Sequence, residues 1–175
     1  YGGKVDLIQA GAFEDVDAAM MIHPAPFDVL DPRCIAVAHV DVHFHGKAAH
    51  ASAFPDQGIN ALDAAVQAYV NISTLRQHLL PTDKIHGIIA EGGEAPNVIP
   101  AYTRSSWYVR ADTRRRLDEL LPRVTACFDG AATATGCTVE IEHVGHTYDE
   151  LRTHPVLAEI FERNAAELGR TMLRG

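Results

Sequence analysis

The chain has 175 residues, 47% of them hydrophobic and 22% charged, with a formal net charge of −8. This is the composition of a soluble chain long enough for one good core, or one core and part of another. It excludes nucleic-acid binding through a basic stripe, and no apolar run reaches the roughly 18 residues of a membrane helix. The one dense basic run, Arg114-Arg115-Arg116, is answered by Asp112, Asp118 and Glu119 and reads as a solvated helix start. The three cysteines are odd in number and have no Cys-x-x-Cys spacing, which fits reduced core positions in a cytoplasmic protein.

The chain opens at Tyr1-Gly2-Gly3 without a methionine and stops at Arg174-Gly175, so it is expected to be a piece of a longer polypeptide. Residues 4–12 suggest a short helix ended by Gly11. The apolar run Val16 to Ile22 predicts a strand buried on both faces, as in a parallel α/β sheet. Ligands of such sheets bind outside the carboxyl ends of the strands. His23, which follows directly, therefore stands either as a metal ligand or as a simple strand cap. Pro24, Pro26 and Pro32 then mark a loop and a domain boundary.

Residues 35–45 alternate. Val40, Val42 and Phe44 lie on one face, and His39, Asp41, His43 and His45 on the other, the period of a half-buried strand. The polar face can be read as a metal site or, more simply, as a polar sheet surface, because alternate residues on a strand lie about 7 Å apart. The small-residue loop Gly46-Lys47-Ala48-Ala49-His50-Ala51-Ser52 follows. It lets other backbone approach closely and presents one histidine. A helix is expected from Ile59 to Leu80, with Leu62, Val66, Tyr69, Ile72 and Leu75 inward. A strand over 85–91, a glycine-rich turn at Gly92-Gly93, and a strand over 101–112 come next. In the last of these Trp107 and Val109 face inward and Arg104, Ser106, Tyr108 and Arg110 outward. Asp112 and Thr113 cap a helix to Thr135, with Gly136 as its C-terminal residue and a kink expected at Pro122. A strand over 137–147 and a helix over 155–168, capped by Thr153, complete the chain. The order between 35 and 147 is β-α-β-β-α-β, an α+β, ferredoxin-like arrangement with a four-stranded antiparallel sheet and two helices.

Several spaced blocks then match one family. Gly46-Lys47-Ala48-Ala49-His50-Ala51-Ser52 with Pro55, Gly58 and Asn60-Ala61 resembles the start of the lid, or dimerisation, domain of the zinc aminoacylase and carboxypeptidase G superfamily of metallopeptidases. Gly92-Gly93, Pro96-Asn97-Val98-Ile99-Pro100 and Tyr108-Val109-Arg110-Ala111-Asp112 are similar to its next blocks. Gly2-Gly3-Lys4-Val5-Asp6-Leu7 and Ala18-Ala19-Met20-Met21-Ile22-His23-Pro24 are most similar to the branch that hydrolyses p-aminobenzoyl-glutamate and related N-acyl amino acids or dipeptides.

The resemblance implies a lid over 34–148, flanked by pieces of an α/β catalytic domain at 1–33 and 149–175. It implies His23 as a ligand of one of two catalytic zinc ions. It implies His50 as an oxyanion donor reaching into the partner subunit of a homodimer, and Asn97 and Arg110 as substrate-binding residues. The other metal ligands and the general base of the family lie outside the lid. A catalytic zinc needs about three protein ligands, so this chain alone is expected to be inactive and to bind no catalytic metal. The alternative is a stand-alone ferredoxin-like module for ligand binding or dimerisation.

Overall fold

In the computed structural model, which describes residues 2–174, the alternating stretch forms β1 (Ala36–His45). Its apolar side chains point one way, and Ala36, Ala38, Val40, Val42 and Phe44 are buried. The remaining strands are β2 (Lys84–Glu91), β3 (Tyr102–Ala111) and β4 (Thr138–His143), and the helices between them are α2 (Ala61–Arg76) and α3 (Arg114–Thr135). The sheet order is β2-β3-β1-β4, with every neighbouring pair antiparallel. With the connection β1-α2-β2-β3-α3-β4, this is the ferredoxin-like fold expected from sequence. Both helices pack on one face of the sheet, where Trp107 meets Tyr69 of α2 and Phe128 of α3 at ring distances of 5.3 and 5.5 Å. The other face carries His39, Asp41, His43, Arg104, Tyr108 and Arg110.

Capping follows local chemistry. The Asn60 side chain accepts hydrogen bonds from the N–H groups of Leu62 and Asp63, and Thr113 from that of Arg116. Each satisfies donors that a helix start leaves open. Gly136 ends α3 with φ +74°, a left-handed conformation that suits glycine. Pro122 lies inside α3 without ending it. The basic run at the start of α3 is paired as expected for Arg114 (Asp118, 2.8 Å) and Arg115 (Glu119, 3.4 Å). Arg116, however, reaches the buried Asp83 at 2.7 Å.

Three expectations for these elements need correction. Helix α2 is shorter than 59–80, and its buried residues are Ala61, Ala64, Ala65, Ala68 and Ile72, while Val66 and Tyr69 are exposed. The alanines fill the buried face and Val66 turns outward, while Tyr69, though partly exposed, still packs its ring on Trp107. Strand β4 stops at His143 rather than running to 147.

The second unit comprises Gly2–Ile35 and the segment from Glu150 onward. It contains α1 (Gly3–Gln9) and α4 (Pro155–Glu167). His154, with no capping side-chain bond, occupies the N-cap position assigned to Thr153. The segment is tied by a parallel bridge between Val29 and Leu173, and Asp28 pairs with Arg170 at 2.8 Å. The strand expected at 16–22 does not form. That segment is irregular and its side chains are exposed, Ile22 to 81%. A strand buried on both faces needs hydrogen-bonded neighbours, and a lone strand is not stable. Tyr1 and Gly175, the outer ends of the two expected flanking pieces, lie outside the described residues. No helix among the described residues is long and apolar enough to cross a membrane.

Candidate functional site

The loop after β1 is laced between two other segments. Gly46 N–H donates to the Ala101 carbonyl (2.7 Å), and Lys47 and Ile59 exchange backbone bonds of 2.8 and 2.9 Å. A Cβ on Gly46 would stand 2.1 Å from the Ile59 carbonyl oxygen, so only glycine fits this approach. One step further, Ala51 N–H donates to the Asn97 carbonyl and Ile99 N–H to the Ala49 carbonyl, each at 2.9 Å. These bonds set His50 opposite Val98 and place the His50 and Asn97 segments side by side. An open depression of about 470 Å³ adjoins them, lined in part by Ala51, Glu94, Pro96 and Val98.

The His50 ring is exposed and oriented by its own loop. The backbone N–H of Ala53 (3.2 Å) and, more weakly, that of Ser52 (3.4 Å) donate to Nδ1, with the Ser52 hydroxyl at 3.2 Å. A backbone N–H can only donate, so Nδ1 carries the lone pair. Neutral His50 therefore holds its proton on Nε2, as a donor free to meet a ligand. Asn97 is exposed beside it.

Arg110 lies elsewhere. It pairs with Val37 at the start of β1, whereas Tyr102, at the other end of β3, pairs with His45. Arg110 lies eight residue steps along β3 from Tyr102, about 26 Å of strand. Arg110 is half-buried and has no carboxylate partner among the described residues. Its Nε is fully buried without a hydrogen bond, and its guanidinium lies 5.7 Å from the centre of the Tyr108 ring. Register sets His39 and His86 on either side of Tyr108. His39 stacks on that ring at 4.1 Å, and His86 meets it edge-on at 5.8 Å. Partial burial, and then the charge of Arg110, hold both imidazoles below the usual histidine range; Arg76 adds to the effect on His86.

The peptidase dimerisation domain family of M20 enzymes matches residues 36–135. The chain belongs to the M20 peptidase dimerisation-domain family. Similar proteins include the Xaa-Arg dipeptidase of Mus musculus, 45% identical over 96% of this chain and 39% of that protein. One of the p-aminobenzoyl-glutamate hydrolase subunits of Escherichia coli is 34% identical over 79% of this chain and 29% of that protein. An aminobenzoyl-glutamate utilization protein from Klebsiella pneumoniae, known by crystal structure, shares the fold with a TM-score of 0.72 at 23% identity, over 96% of this chain and 45% of that one. The chain thus spans about two fifths of the length of the dipeptidase it matches. Membership of the M20 family favours the hydrolase reading over a stand-alone module.

The metal ligand expected at position 23 is exposed, with Nδ1 2.9 Å from the Pro24 carbonyl oxygen. Among the described residues no three His, Cys, Asp or Glu side chains gather around a common point, so these residues do not fit a complete M20 metal centre. The polar face of β1 is not a metal site either. Asp41 pairs with Arg104 at 3.1 Å, and His43 Nδ1 meets the Tyr102 hydroxyl at 2.8 Å. The sequence reading missed Ser52 as the neighbour of His50, and His39 and His86 as neighbours of Tyr108. Period-2 patterning places side chains on a face, but cross-strand register decides which of them meet.

Proposed function

We propose that this chain is the lid and dimerisation part of a metal-dependent amidohydrolase that cleaves dipeptides or N-acyl amino acids, p-aminobenzoyl-glutamate among the candidates. The observation that carries this reading is the placement of the His50 and Asn97 segments at one end of the sheet and Arg110 at the other. Arg110 lies about 26 Å of strand from Tyr102, which stands at the end of β3 nearest the loop that carries His50, so residues at the two ends of the sheet are poorly placed to serve one small substrate within a single copy. Two copies related by a two-fold axis can bring the His50–Asn97 end of one to the Arg110 end of the other. His50 Nε2–H then donates to the oxyanion of the tetrahedral intermediate, a contribution of about 3 kcal/mol for one such donor. Asn97 holds the substrate near the scissile amide, and Arg110 takes its carboxylate as a fork of N–H donors. The resemblance implies zinc as the metal, with His23 supplying one donor to it.

The partner copy would dock at the free edge of β2. On that edge Ile88 is 65% and Ile89 38% exposed, and the adjacent α2 turns Val66 and Val70 outward. The opposite edge, β4, is short and carries Glu140 and Glu142, which discourages pairing. The three cysteines are free thiols, in keeping with a cytoplasmic setting.

The test is hydrolysis of a small panel by the full-length protein: dipeptides ending in a basic residue, N-acyl amino acids, and p-aminobenzoyl-glutamate. Activity lost to a chelator, and reduced about a hundredfold in kcat by His50→Ala, is the expected result. Turnover insensitive to both would overturn the reading.

A further inference from the structure

Arg110 differs from its neighbours in the company it keeps. Arg104, Arg114 and Arg116 each contact a carboxylate of the chain. Arg110 instead sits among neutral rings, with its Nε buried and without a partner. With no carboxylate or hydrogen-bond acceptor at Nε, nothing of that kind fixes the guanidinium in place. A guanidinium is positioned by whatever fixes its plane, and at Arg110 that surface is Tyr108. The ring is itself fixed, with His39 stacked at 4.1 Å and His86 against its edge at 5.8 Å. The three residues come from three adjacent strands in direct register, so the shelf is rigid to the extent that the sheet is rigid.

We propose that Tyr108, clamped between His39 and His86, is the positioning residue for Arg110, holding its guanidinium ready to receive the carboxylate of a ligand. The proposal rests on the reading of Arg110 as the substrate carboxylate receptor. It adds that the aromatic row, and not an acidic partner, orients the arginine. A carboxylate beside Arg110 would orient it equally well but would compete with the substrate for the same N–H groups. An aromatic face orients the cation while leaving its edge open.

The test uses steady-state kinetics of the full-length protein on a matched pair of substrates, one with a free carboxylate and the other with that group as a carboxamide. Tyr108→Ala is expected to raise KM for the carboxylate substrate about tenfold, with kcat within about twofold and the carboxamide unaffected. Tyr108→Phe should restore KM to near the starting value. His39→Ala, which removes the stacked ring, should shift KM in the same direction by a smaller factor. Arg110→Ala should abolish the preference for the carboxylate. If Arg110→Ala leaves that preference intact, the receptor reading itself fails. If it abolishes the preference but Tyr108→Ala behaves like the parent, or weakens both substrates equally, the receptor stands and the positioning role is wrong.

Discussion

At His50 the loop selects a tautomer with its own backbone. The N–H groups of Ser52 and Ala53 occupy Nδ1, which leaves Nε2–H as the outward donor without help from another element. The residues around Arg110 lead to a pH dependence of stability. His39 and His86 are held below the ordinary value of 6.5, by partial burial and then by the charge of Arg110. The unfolded chain therefore takes up protons near 6.5 while the folded chain does not, and the folded state loses stability as the pH falls through and below that value. Their contribution is fully present above this range. The urea midpoint should fall between about pH 7.5 and pH 5.5, and the His39→Gln/His86→Gln double variant should flatten that slope. An unchanged slope would remove these two imidazoles as its source. The resemblance singled out candidate site residues one at a time in the sequence. Their grouping was not legible, because it depends on register: only pairing β3 with β1 and β2 brings His39 and His86 to Tyr108.

At the scale of elements, the close approach of Gly46 to Ile59 links the end of β1 to the start of α2. Gly46→Ala would place a methyl group 2.1 Å from a backbone oxygen, so the loop must shift and carry His50 with it. A melting point lowered by several degrees, together with a drop in turnover, is expected; unchanged values for both would contradict the tight fit. Helix α2 gives a second case. Ala68 is fully buried in the core, and Ala68→Leu should cost about 1–3 kcal/mol through overpacking, measured by urea unfolding. A neutral result would mean that the core around α2 is less tightly packed than the burial of its alanines implies. The strands β1 and β3 were legible because one face is buried and the other polar, which leaves a clean period of two. The face of α2 is only partly legible, because alanine carries little hydrophobic signal: Ile72 and, through its ring on Trp107, Tyr69 face the core as expected, but Val66 does not. Residues 16–22 have the composition of a buried strand but no neighbours to pair with in the unit where they lie. Composition alone does not report whether a neighbour is present.

At the scale of the whole molecule, a ten-residue β3 carries Arg110 to the opposite end from the His50 and Asn97 segments. On the proposed roles of these residues, that length becomes a statement about assembly. The exposed edge of β2 and the outward stripe of α2 offer the surface on which a second copy would complete the site. The most direct test mixes two impaired forms of the full-length protein, His50→Ala and Arg110→Ala, under conditions that exchange subunits, and assays the carboxylate substrate at a concentration where each alone turns over at a few per cent of the parental rate or less. In a mixed dimer one site receives an intact His50 from one copy and an intact Arg110 from the other. Mixing should therefore restore about a quarter of the parental activity, since half the dimers are mixed and each has one complete site. If mixing restores nothing while exchange is verified, His50 and Arg110 act within one copy or not together, and the composite site is wrong.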